Sequence, residues 1–492
     1  MHNLVHAIDR LNTWLSNRKA KRIILVAVIS INAVFYTTTE FDQFPRFQRR
    51  RSTTGFAHDS ASRFFYFFYY KNLFPLATLE QDVLYSLEEA NQEISEHGQS
   101  LIMEAGHWSR LGENARILAF MPNALLKGSP VKPSIKLFNA LFFTSGLLCL
   151  FWGFHTIGLP LIGLFTVFFI NITPFYLYEV FSNQNIFALL ASTFFIVLGF
   201  NLPALFLDKI SLPKTIFRIL FSGALIAFAS EVRNGTSIIL LSLMAIYVLS
   251  KSVKWIPKLV YVSLILLSFF ATRSAIRSYF DGKFHKTAEV VQQHGGHVYT
   301  GGRISGHNFW HPVFCGLGDF DTKYGYKWDD QVAYRYAVPI LREKYKINVN
   351  YSGGYHTDNY YDTAKLYYIK FDEIPEYEQV VRDKVLSDIR SDPWWYISIL
   401  LKRMRKIVTH TLPFHFIGLG LFPLLVILVK RKEWDLIKLL ALTLPLSAGS
   451  FIIYSDRGAT YDSVFPYFVI SIGLYLLYEW RNQRQNISTH SQ

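Results

Sequence analysis

The chain has 492 residues, 51% of them hydrophobic, 17% aromatic and only 17% charged, where ordinary soluble domains carry about 25% charged residues. That balance argues against a soluble enzyme and for a membrane protein. The net charge of +14 is of the kind found in nucleic-acid binders. Here, however, the basic residues flank apolar segments, so the expected partners are lipid headgroups and phosphates, with no nucleic acid. Two cysteines, Cys149 in an apolar segment and Cys315 in a polar one, exclude a disulfide framework.

Residues 1–22 form an expected cytoplasmic segment ending in the basic "NRKAKR". The apolar run at 23–38 that follows has no small-residue cleavage site and reads as a signal anchor. Further runs of spanning character lie at 137–154, 159–180, 186–207, 216–230, 238–250, 259–271, 412–429, 436–454 and 464–478. The expected architecture is an all-α polytopic membrane protein with about ten transmembrane helices. It divides into a first external loop at 39–136, middle spans within 137–271, a second external loop at 272–411, last spans within 412–480 and a tail at 481–492.

Orientation follows from the excess of Lys and Arg in cytoplasmic connections. "NRKAKR", "HTIGLP", "DKISLPKTIFR", "KSVKWIPK", "KRKEWDLIK" and "RNQR" fall on one side. The opposite turns "FSNQN", "EVRNGTS" and "SDRGATYDS" hold at most one Arg each. Both termini are therefore expected in the cytoplasm, with the two large loops periplasmic or external to a bacterial-type inner membrane.

The first loop holds "GFAHDSASRFFYFFYY", too short to cross a bilayer and too apolar for an ordinary loop. It predicts a half-buried helix in the headgroup region, opened by Asp59. Asp59 then either caps exposed N–H groups or stands as a charged carboxylate at the membrane edge. A second helix is predicted through "ATLEQDVLYSLEEANQEISEHG". In the second loop, "EYEQVVRDKVLSDIRS" predicts a charged helix stopping before Pro393. "DPWWYISILLKRMRKI" predicts an amphipathic interface helix that runs into the eighth span.

A first span, a long external loop and an Asp opening an aromatic helix resemble the GT-C membrane glycosyltransferases, whose members include the protein mannosyltransferases and the lipid A aminoarabinose transferases. "ALIAFASEVRNGTSIILLSLMAIYVL" is similar to that group's Arg-centred turn, with Arg233 in place, and "DPWWYISILLKRMRKI" to its Pro-aromatic basic helix. The order of spans and loops agrees over most of the chain. Asp59 lacks the frequent second acidic neighbour, and the absence of a WWDYG-like motif argues against an oligosaccharyltransferase. The resemblance implies an inverting transfer of a sugar from a polyprenyl-phosphate or polyprenyl-diphosphate carrier to an envelope glycan, lipid or protein.

Such transfer needs a base, cations for the leaving phosphate and a groove for the prenyl chain. The resemblance places the base at Asp59; Asp42 and Glu40, nearer the exit of the first span, are its alternatives. Arg233 suits phosphate oxygens because guanidinium binds them bidentately; its other reading is a salt bridge to Glu231. Arg49, Arg50 and Arg51 in "RFQRRR" add positive charge on the external side.

The polar cluster "HGGHVYTGGRISGHNFWHPVFCGLGDFDTKYGYKWDDQ" supplies the expected sugar or acceptor contacts: His307, Trp310, His311, Asp319, Asp321, Trp328, Asp329 and Asp330. His307 and His311 have the four-residue spacing of helical metal ligands. Gly306 and Pro312 argue against a helix there, so no metal is expected and no cofactor is implied. The rival readings are a transporter or flippase of lipid-linked saccharides and a non-catalytic glycan-binding membrane protein.

Overall fold

The computed structural model describes residues 10–15, 17–39, 131–173, 176–177, 180, 188–207, 211–232, 234–293, 309–347, 349, 351, 374–453 and 463–490. Glu40, Asp42, Arg49, Arg50, Arg51, Asp59, Arg233 and His307 lie outside them, as do both helices expected in the first loop.

Among the described residues the chain is all-helical, with no strand. The helices are α1 (Arg18–Thr38), α2 (Val131–Thr156), α3 (Pro160–Asn171), α4 (Ala188–Phe206), α5 (Leu212–Val232), α6 (Ile239–Leu249) and α7 (Trp255–Gln293). They continue with α8 (Trp310–Leu317), α9 (Asp330–Lys344), α10 (Pro375–Ser391), α11 (Pro393–Thr409), α12 (Leu421–Arg431), α13 (Trp434–Thr443), α14 (Ala448–Ile452) and α15 (Phe465–His490). Six segments among the described residues are long and apolar enough to cross a membrane: Lys19–Thr38, Lys136–Thr156, Leu189–Phe206, Leu212–Glu231, Trp255–Tyr279 and Trp434–Ile452. Pro160–Asn171 and Gly235–Leu249 are apolar but shorter. The membrane class thus stands on six spans.

Two neighbouring helices approach closely through glycine. A Cβ on Gly153 would meet the Gly199 carbonyl oxygen at 2.4 Å, and one on Gly199 would meet that of Cys149 at 2.2 Å. Gly146 likewise faces Ser192, so α2 and α4 run parallel with backbone against backbone, as small residues allow between membrane helices. Gly223 packs on Ser268, whose hydroxyl donates to the Leu220 carbonyl, and this sets α5 parallel to α7. On α1, α5 and α7 the large residues Val26, Phe217, Leu267 and Phe270 point away from the bundle. In water such a surface would be a liability; in a bilayer it is the lipid-facing side.

The ends of the bundle are chemically unlike. Lys21 lies over the Trp152 ring, and Lys251 pairs with Asp435 at 3.2 Å, which gathers the starts of α1, α7 and α13 and the end of α2 at one basic end. At the opposite end Lys136 donates to the carbonyls of Tyr36 and Thr39, and Tyr467 donates to the Thr173 hydroxyl.

At that second end stands a helical domain built from α8 to α11, with its own core of Phe314, Leu317, Tyr326, Leu341, Tyr377, Val381 and Ile399. Its helices follow from local sequence. Pro375 opens α10, with Glu376 and Glu378 in the first turn where the dipole favours them. Asp392 ends the stretch and caps α11, its Oδ1 accepting the Trp395 N–H at 3.0 Å, with Pro393 at the first helical position.

The structure amends three expectations. The seventh span does not stop at residue 271: α7, 39 residues long, runs on to Gln293, because nothing between Pro257 and Gly282 breaks it. The helix α11 does not run into the eighth span, since Thr409 is followed by a break and a 3₁₀ turn at Ile417–Gly420 before α12. Pro312 does not prevent a helix; it sits in the first turn of α8, where a missing N–H costs nothing, and His311 is helical.

Candidate functional site

Two groups of polar side chains stand at the end of the bundle that carries the helical domain. The first joins α5 to α7. Glu231, 4% exposed, receives the Nε–H groups of Arg273 at 2.7 Å and Arg277 at 2.8 Å, both on Oε1. The arginines are spaced i, i+4 on α7 and therefore reach the same carboxylate. Each commits its Nε edge to Glu231, while about a quarter of each side chain remains exposed (25% and 27%). The pairing of Arg233 with Glu231 falls outside the described residues, but Arg273 and Arg277 do take that carboxylate. Nothing in the sequence reading singled them out. Their signal was "RSAIR", two arginines one helical turn apart at the end of an apolar run.

The second group is inside the helical domain. His311 and Cys315 share one face of α8, and Asp330 begins α9. The His311 Nδ1 is 2.5 Å from the Tyr377 hydroxyl on α10. Its Nε2 is 3.2 Å from Asp330 Oδ1 and 3.8 Å from Cys315 Sγ, and Sγ is 3.8 Å from that same Oδ1. His311 is 4% exposed and Cys315 3%, while the Asp330 side chain is half-exposed at 47%. Burial pushes the Cys315 thiol up, and the Asp330 carboxylate pushes it further. An unactivated buried thiol is no nucleophile. Nor is this a proton relay, because Cys315 and Asp330 meet the same imidazole nitrogen rather than opposite ones. The three side chains bring nitrogen, sulfur and oxygen donors to one point.

The remaining expected contact residues hold the domain together. Asp329 caps α9 by accepting the Gln331 N–H at 3.1 Å. Asp321 accepts the Trp395 indole N–H at 2.9 Å and lies 3.9 Å from Lys402. The Trp310 N–H donates to Glu378 at 2.8 Å, and burial pushes that carboxyl up. Trp328 is 45% exposed. Asp319 lies near Arg403, whose guanidinium is lowered by burial and raised back by that carboxylate.

Arg403 is the tether between domain and bundle. It is 0% exposed and donates to the carbonyls of Phe451 at 3.2 Å, Ile452 at 2.6 Å and Ile453 at 3.1 Å, closing the end of α14. Gly316 of α8 admits the Ile453 carbonyl at a point where a Cβ would be 1.8 Å away. Along α11 the residues Trp395, Ile399, Arg403 and Ile407 form the buried stripe, while Trp394, Ile397, Leu401 and Met404 form an exposed apolar one. A helix apolar on two faces with lysine and arginine between them fits a membrane interface. No known protein family, curated protein or solved structure matches the chain.

Proposed function

We propose that the chain is a membrane glycosyltransferase of the GT-C kind. It moves a sugar from a polyprenyl-phosphate or polyprenyl-diphosphate carrier to an envelope glycan, lipid or protein, with Asp59 as base. The observation that carries this reading is the Glu231–Arg273–Arg277 group, set at the bundle end where the helical domain stands. A carboxylate shared by two arginines fixes both guanidiniums and leaves net positive charge. Their outer N–H edges then suit a phosphate at the depth where a lipid carrier presents it.

The positive-inside bias agrees. Lys19, Lys21, Lys251, Lys254, Lys430 and Arg431 collect at the opposite end of the bundle, so the domain end is the external one. A transporter needs ionisable residues near the middle of its spans. In the described spans the charged residues lie toward the ends, which favours chemistry at the rim over passage through the bundle.

The test incubates purified protein with a panel of polyprenyl-linked sugars and acceptors and measures release of the carrier lipid. Release should occur with at least one donor, and Arg277→Lys should weaken donor use despite keeping the charge. Failure of every donor, together with saccharide movement across proteoliposomes, would replace the enzyme by a transporter.

A further inference from the structure

We infer that His311, Cys315 and Asp330 form a zinc site that staples α8 to the start of α9. Tetrahedral ligands held about 2.0–2.3 Å from zinc stand about 3.3–3.6 Å from one another. The three donor atoms here are separated by 3.2, 3.8 and 3.8 Å, so a shift of a few tenths of an ångström would close them on one ion. The three are the sole group of this kind among the described residues.

The geometry agrees on three further counts. His311 and Cys315 are i, i+4 on a helix, the spacing that points two side chains at one ion. Both are buried, so the ion would be shielded, while the half-exposed Asp330 marks the path by which it enters. The histidine is oriented from behind. Its Nδ1 meets the Tyr377 hydroxyl at 2.5 Å, and a ring that donates its Nδ1 proton to that oxygen turns the Nε2 lone pair to a metal.

The donor set selects the ion. Imidazole with a thiolate suits zinc, whereas magnesium and calcium take oxygen donors. On binding, the Cys315 proton leaves to solvent and a zinc–thiolate bond forms, so no oxidant or reductant is needed. The site does not depend on the glycosyl-transfer reading. Its role is to fix the α8–α9 corner, with Asp329 and Trp328 on the adjoining turn.

The test uses full-length protein in detergent. Zinc is measured by elemental analysis after dialysis; chelator-stripped protein is then titrated with cobalt(II) and followed by absorption. The expected result is one zinc per chain and a thiolate-to-cobalt charge-transfer band. That band should survive Cys149→Ser and vanish in Cys315→Ser, which separates the site from adventitious binding to surface histidines. Tyr377→Phe should weaken cobalt binding about 10–100-fold, as loss of an outer partner does. A wild-type protein that gives no charge-transfer band overturns the proposal without any variant having to fold. A band that persists in Cys315→Ser overturns it as well.

Discussion

Asparagine caps a helix about as well as aspartate but takes up no proton, so Asp59→Asn separates two roles of one residue. If Asp59 is the base, the variant should fold, bind the lipid-linked donor and turn over about 10²–10⁴-fold more slowly. Full activity in Asp59→Asn alongside an inactive Asp42→Asn would move the base to the exit of the first span. Arg403 poses the matching question for stability. Its guanidinium is the partner of three backbone carbonyls at the end of α14. Arg403→Met keeps the apolar stem and removes the donors, so it should cost at least about 1.5–3 kcal/mol, the worth of a charged hydrogen bond. Chemical denaturation in detergent reads the loss; a variant as stable as wild type would mean that water replaces the guanidinium.

Among the helices, the α2–α4 contact and the α10–α11 corner respond to different variables. Gly199→Ala places a methyl group on the Cys149 carbonyl, where a Cβ would lie at 2.2 Å. The two backbones must separate, at about 1–3 kcal/mol for overpacking. Gly473→Ala, with nothing within 4 Å of its Cβ, should leave the melting temperature unchanged. If Gly199→Ala melts with wild type, the close approach of α2 and α4 is wrong.

The α10–α11 corner answers to acid. Asp392 bonds Lys323 at 2.5 Å, and that hydrogen bond holds its carboxyl below the ordinary aspartate value of about 3.9. A group lowered on folding contributes stability above its unfolded pKa and loses it as pH falls through the folded one. Lys323→Met should therefore lower the melting temperature at neutral pH. The difference from wild type should vanish once the medium is acid enough to protonate Asp392 in both. A difference that stays constant with pH would assign the effect to packing.

For the whole molecule, the two bundle ends must face different compartments. A cysteine replacing exposed Thr322, in the turn before α9, should react with an impermeant thiol reagent in intact spheroplasts. One replacing exposed Lys254, at the start of α7, should react only after permeabilisation. The reverse pattern would put the helical domain in the cytoplasm and remove the external site. The wild-type thiols do not interfere, because Cys315 is buried and Cys149 lies within a span.

The sequence by itself determined what depends on neighbours along the chain. The membrane class is legible because spanning a bilayer takes about 20 apolar residues in a row. The stop before Pro393 is legible because it acts within one turn of helix. The tertiary structure decided what depends on residues far apart. Glu231 meets Arg273 and Arg277 only because α5 runs parallel to α7, some 40 residues further on. His311 and Cys315 stand one turn apart in "HPVFC", a spacing visible in the rows, yet the expectation paired His311 with His307, and a metal was set aside because Gly306 and Pro312 argue against a helix, whereas Pro312 is a first-turn residue. Asp330 and Tyr377 complete the cluster from two other helices. No local pattern encodes their convergence, because burial and packing, not sequence spacing, bring those atoms to one point.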